Sequence, residues 1–322
     1  MSLRIFRRGF TVILMGLACS SGPRQPPAPA VTPVMSKEIL NARLSGSIGP
    51  DLGNLGKLIE PASLLVNNIG DIFITDRAVN AICKISSDLI PQSREGGLGG
   101  FGGGYNRPMG MASDAALNIY IADGGNRRIQ VFDHNMRFVK IIDGYENDKG
   151  ESAQFVSPSD VAIDNAGNIW IADEDRVLKL DPFLKLLFEA SEKAAGQFIL
   201  GRVSAIEISM NGTVAIADAG NNRIITMSVY GNYISDFAAG SATVIAWDPR
   251  NNIWAANQDR GRISNYDVNG NLIFAFSDDA GSKPVGISFD RDGRLLVLDR
   301  NQRRLKIYEL IRGAERTGQK AR

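Results

Sequence analysis

Six stretches of the chain repeat one layout of apolar and polar positions. They are SLLVNNIGDIFITDRAVNAICKIS, GMASDAALNIYIADGGNRRIQVFD, DVAIDNAGNIWIADEDRVLKLD, AIEISMNGTVAIADAGNNRIITMS, TVIAWDPRNNIWAANQDRGRISNYD and GISFDRDGRLLVLDRNQRRLKIYE. Each holds a short apolar run, an Asn/Asp/Gly turn, a second run ending in Asp or Asn, a polar turn and a third run. Short β-branched and aromatic runs bounded by such turns predict strands. Most units continue into a fourth alternating strand, as in MRFVKII and NLIFAF. The residues that end the second strands are Asp76, Asp123, Asp173, Asp218, Asn257 and Asp299, spaced 47, 50, 45, 39 and 42 apart. A four-stranded unit recurring every ~40–50 residues is the pattern of a propeller blade.

The sixth unit has three strands and then LIRGAERTGQKAR, too polar for a fourth. EILNARLSGSIG, Glu38 to Gly49, reads like the missing one. Zipping the two ends together removes an open sheet edge that would invite aggregation. The expected fold is therefore an all-β, six-bladed β-propeller over residues 37–311, closed by an N-terminal strand that completes the last blade. A polar basic tail, 312–322, follows.

The stretch GGFGGGYNRPMGMASDAALNIYIADGGNRRIQVFD resembles the NHL-repeat consensus. It has a Gly-rich connector, a Pro, a strand ending in Asp, an Asn-Ile-Tyr strand and then Asp-x-x-Asn-x-Arg-Ile. The second and fourth units match well, the third and fifth are degraded, and the first lacks the Arg. The resemblance implies the fold and says little of function, because one scaffold hosts many activities.

The N-terminus changes the picture from fold to location. Arg4, Arg7 and Arg8 precede an apolar run from Phe10 to Ala18 that is too short to span a bilayer, so residues 1–18 read as a signal peptide. The end of that run, LMGLACSSG, resembles the lipobox of bacterial lipoproteins, with Gly16 where that family usually carries Leu. The resemblance implies lipidation of Cys19, anchoring to the cell envelope and, from Ser20, the outer membrane. Residues 19–36 are proline-rich and form an extended spacer.

Charge narrows the partners. There are 36 basic and 35 acidic residues, which gives no reason to expect nucleic acid. Two cysteines, Cys19 and Cys83, support neither a disulfide framework nor a zinc cage. The single histidine, His134, sits in a turn. Propeller lyases that depend on histidine as zinc ligand or base are not reproduced by it. Lactonase-type propellers hold a divalent cation with Glu, Asp and Asn in the central channel. Glu207 and Asn67 are the residues here for that alternative, with Ca or Mg as the ion. Otherwise no cofactor is expected.

Arg128, Arg223, Arg262 and Arg304 each lie five residues after a strand-ending Asp or Asn. A pattern present in nearly every blade reads as architecture: the acid caps its turn and the Arg grips the acid. The irregular positions carry the functional expectation. Arg77, Arg107, Glu174, Asp175, Arg202, Gln258, Asp259 and Lys283 fall on turns and connectors that share one face of a propeller. That face, with both signs of charge, suits an envelope protein, peptide or glycan bound by a monomer. Trp170 and Trp254 are expected in the core, Trp247 beside the channel, and Gly96 to Gly104 as a long flexible connector.

Overall fold

A computed structural model describes residues 39–191 and 199–313. Expectations at Cys19, in the spacer and in the tail beyond residue 313 lie outside the described residues. No helix among the described residues is long and apolar enough to cross a membrane.

Among the described residues, six four-stranded antiparallel sheets form the blades. Their innermost strands are Pro61–Val66, Pro108–Ser113, Pro158–Ile163, Val203–Ile208, Ala242–Trp247 and Pro284–Phe289. Each adjoins its two neighbours, and the sixth returns to the first, so the ring closes. Blades 1 to 5 follow chain order from innermost to outermost strand. In blade 6 the outermost strand is Ile39–Ile48, paired antiparallel with Arg304–Arg312 through Leu44–Tyr308 and Ile48–Leu305. The sequence missed one small sheet, Gly144–Glu146 paired with Ser152–Gln154 between blades 2 and 3.

The second strands explain why the blades stack. Ile72–Asp76, Ile169–Asp173 and Leu295–Asp299 are buried at every position. A mid-blade strand has sheet on either side and a neighbouring blade on each face, so both sets of alternating side chains are covered. Trp170 and Trp254 are fully buried at equivalent places. Each indole N–H donates to the acid of the first hairpin turn, Asp164 at 3.3 Å and Asp248 at 3.1 Å. That turn acid recurs as Asp114 and Asp290, with Asn67 in blade 1. In all of these the side-chain oxygen accepts the backbone N–H four residues on, which tightens the hairpin.

Candidate functional site

The strand-ending acids hold the ends of the blades together. Asp123 is fully buried; its Oδ1 accepts the Asn106 N–H at 2.7 Å and its Oδ2 accepts Arg128 Nε at 2.8 Å. Asp218 repeats this with Gly201 N–H at 2.9 Å and Arg223 Nε at 2.9 Å. These acids therefore fasten the connector entering the innermost strand, as well as their own turns. The five-residue rule fails in two blades. Arg262 is exposed, with its Nε reaching the Ser264 hydroxyl at 3.4 Å. Arg304 is exposed too, and Lys306 stands 3.3 Å from Asp299 instead. Two further cations come from other offsets: Arg176 at 2.7 Å from Asp173, and Arg94 at 3.9 Å from Asp76. What the fold requires is a cation near the acid, and several backbone positions supply it.

The glycine-rich connector is pinned as well. Arg128 donates to the carbonyls of Gly100, Phe101 and Gly104, and Gln130 donates to Gly104 at 2.7 Å. The clasp of blade 2 thus ties down a segment whose composition suggested flexibility.

All innermost strands begin at one mouth of the central channel and end at the other. At the first mouth is a cavity of about 280 Å³ lined by Arg77, Arg202, Arg300, Gln258, Thr243 and Asp160, among others. Three of these, Arg77, Arg202 and Gln258, were expected at a ligand site. Arg107, Glu174, Asp175, Asp259 and Lys283 do not line it. The first four are exposed on the surrounding connectors and turns, and Lys283 is tied by its backbone to Asp299 and Arg300. The acidic turn residues therefore do not reach the cavity, and the mixed charge of the face is not the charge of the mouth.

Arg300 and Asp160 were missed. Arg300 follows the strand-ending Asp299 as Arg77 follows Asp76, so the sequence held the signal. Asp160 is the one carboxylate among the third positions of the innermost strands, Ser63, Gly110, Asp160, Ala205, Val244 and Gly286. The bare Gly110 makes room for it, since a Cβ there would lie 1.8 Å from Asp160 Oδ1.

Burial sets the electrostatics of this mouth. The Arg77 guanidinium is brought down to about 10 by desolvation, then by Arg300 and Arg107. Arg300 is also lowered by burial. Asp160 shows a part-exposed surface to the channel, yet the walls desolvate it and push it up to about 7, against the Ile206 and Val161 N–H groups that it accepts. Three guanidiniums against this one carboxyl leave the wall of the mouth with an excess of positive charge.

The opposite mouth is wider, about 660 Å³, and is lined by Leu65, Asn67, Glu207, Trp247 and Phe289 among others. Trp247 lies beside the channel as expected, with its indole N–H on the Glu207 carbonyl at 3.3 Å. Glu207 is raised well above an ordinary carboxyl by burial, then by Asp160. Glu207 and Asn67 share this cavity but fit a hard cation poorly. The Asn67 Oδ1 already accepts the Ile69 and Asp71 N–H groups. No group of three His, Cys, Asp or Glu able to hold a metal exists among the described residues. Ca²⁺ takes about six to eight oxygen ligands.

No family model matches the chain. A stretch of 76 residues, 23% of this chain, is 38% identical to NHL repeat-containing protein 3 of Homo sapiens and covers 22% of it. A stretch of 133 residues is 27% identical to a probable peptidyl-alpha-hydroxyglycine alpha-amidating lyase of Caenorhabditis elegans, covering 38% of each. The chain spans less than two-fifths of the length of these curated relatives. Among solved structures, a catalytically inactive virginiamycin B lyase from Staphylococcus aureus with quinupristin superposes with a TM-score of 0.60. It shares 13% identity over 84% of this chain and all of that one. A streptogramin B lyase gives 0.53 at 15% identity over 77% and 78%. At such identities the likeness is one of fold.

Proposed function

The chain is an NHL-repeat β-propeller with six blades, and from that premise we propose that it is a binding module, tethered to the cell envelope through Cys19. It docks an envelope protein, peptide or glycan at the arginine-lined mouth. The observation that carries the reading is convergence. Arg77, Arg202, Gln258 and Arg300 come from blades 1, 4, 5 and 6 and line one cavity. Side chains from separated parts of a chain that line one concave site mark a ligand pocket by default. His134 is exposed in an outer turn and does not line this cavity, so it offers no base there.

Thermal shift against a panel of envelope peptides and glycans tests the reading, because a ligand of the native state raises the melting temperature. A stabilising ligand should lose its effect in Arg202→Ala and in Gln258→Ala. Stabilisation that survives both substitutions, or turnover of a panel member, overturns it. The tether has its own test: mass spectrometry of the mature N-terminus should find acylated Cys19, and a free amine on another residue rejects it.

A further inference from the structure

We propose that the group anchored at the arginine-lined mouth is a tetrahedral dianion, the phosphate monoester at the end of a ligand. This rests on the docking reading and names the chemistry that the pocket selects.

Three guanidiniums and one carboxyl, Asp160, line the cavity, so positive charge is in excess there. Arg77 is half-buried; one of its amino groups rests on the Met109 thioether, and its Nε has no partner. A thioether is a weak acceptor, so this buried cation lacks a counter-ion. Arg300 is half-buried and spends its Nε on the Pro61 carbonyl at 3.1 Å. Arg202 is exposed at the rim. The acid felt by both buried arginines, Glu60, is exposed to water and correspondingly screened. Both Asp160 carboxyl oxygens already accept backbone N–H groups, and burial raises this carboxyl above its ordinary range.

Unpaired buried charge is costly, and binding relieves the cost only if the ligand brings enough charge of the opposite sign. A monocarboxylate balances one guanidinium and leaves two. A phosphate monoester carries close to two negative charges on several terminal oxygens, each able to take a guanidinium N–H, and arginine suits that geometry. The uncharged donors agree. The Thr243 hydroxyl is buried without a partner, and Ser63 lines the same wall. Around a tetrahedral group such hydroxyls reach the oxygens that the arginines leave free. A cavity of about 280 Å³ admits an end group rather than a folded surface.

Isothermal titration of the purified propeller with inorganic phosphate, sulfate and acetate tests this at neutral pH. Glucose 6-phosphate against glucose distinguishes an ester from the free ion. Phosphate, sulfate and glucose 6-phosphate should bind at least tenfold more tightly than acetate, and glucose should not bind. Arg300→Gln should weaken the dianions at least tenfold. Arg202→Gln, exposed and outside the core, should weaken them severalfold with an unchanged melting temperature for the free protein. Acetate binding as tight as phosphate overturns the proposal, as does phosphate binding indifferent to both substitutions. Panel ligands that keep their Arg202 dependence while phosphate neither binds nor competes leave the docking mouth intact and sink only the dianion. Loss of Arg202 dependence for every solute sinks both.

Discussion

Blades 2 and 5 occupy equivalent places in the ring and solve the same problem differently. In blade 2 the carboxylate of Asp123 is buried among Arg128, Asn126 and Gln130 and grips the incoming connector through the Asn106 N–H. In blade 5 the equivalent residue is the neutral Asn257. Its Oδ1 accepts the N–H groups of Asp259 and Arg260 in its own turn, and Arg262 is turned out to solvent. One blade closes its end with a desolvated ionic network, the other with a local amide turn. An uncharged residue needs no counter-ion, so the arginine five positions later is released. The repeat is thus a shared hairpin geometry, and the clasp is one way of finishing it.

The comparison is tested most severely by Asp123→Ala, which strands Arg128 and frees the connector. Breaking a buried pair from one side should cost about 3–5 kcal/mol, read by urea denaturation. A pH series extends the comparison to blade 3. Asp160 holds its proton up to about 7 in the folded chain, against an ordinary value of 3.8. The native state then binds more protons than the unfolded one. The contribution of Asp160 to stability is greatest below pH 4, falls as pH rises toward 7 and levels off above that. At about 1.36 kcal/mol per unit the full swing from this group is about 4 kcal/mol, with a shallower slope in Asp160→Asn. Asn257→Ala should cost about 1 kcal/mol, the worth of a turn cap. Arg262→Ala should change stability by less than about 0.5 kcal/mol, as for an exposed side chain. If Arg262→Ala proves as damaging as Arg128→Ala, the two blade ends are alike and the distinction collapses.

The architecture was legible because it is local and repeated. Alternation, the strand-ending acids, the missing fourth strand of the last unit and the spare strand at the N-terminal end gave away the blade count and the closure. The partners of those acids were less legible. A constant offset selected Arg262 and Arg304, whereas the structure uses Arg176, Arg94 and Lys306. Distance along the chain does not report which way a side chain leaves a turn. At the mouth, attention to turns found Arg77, Arg202 and Gln258 but passed over Asp160, which lies inside a strand. Its peculiarity shows only when the third positions of six innermost strands are aligned around a channel. The pinning of the Gly96–Gly104 connector had no local sign, since its partners Arg128 and Gln130 belong to the strand beyond it.

Closure through Ile39–Ile48 also sets a timetable for biogenesis. The first strand of the propeller has no partner until Arg304–Arg312, at the other end of the fold, is in place. Five blades can assemble without it, while this strand waits with an unpaired ladder of N–H and C=O groups. Contacts between chain ends raise contact order and slow the final step. The unfolded chain is therefore most in need of chaperone cover at Ile39–Ile48, and a truncation before residue 304 leaves that strand a ready seed for aggregation.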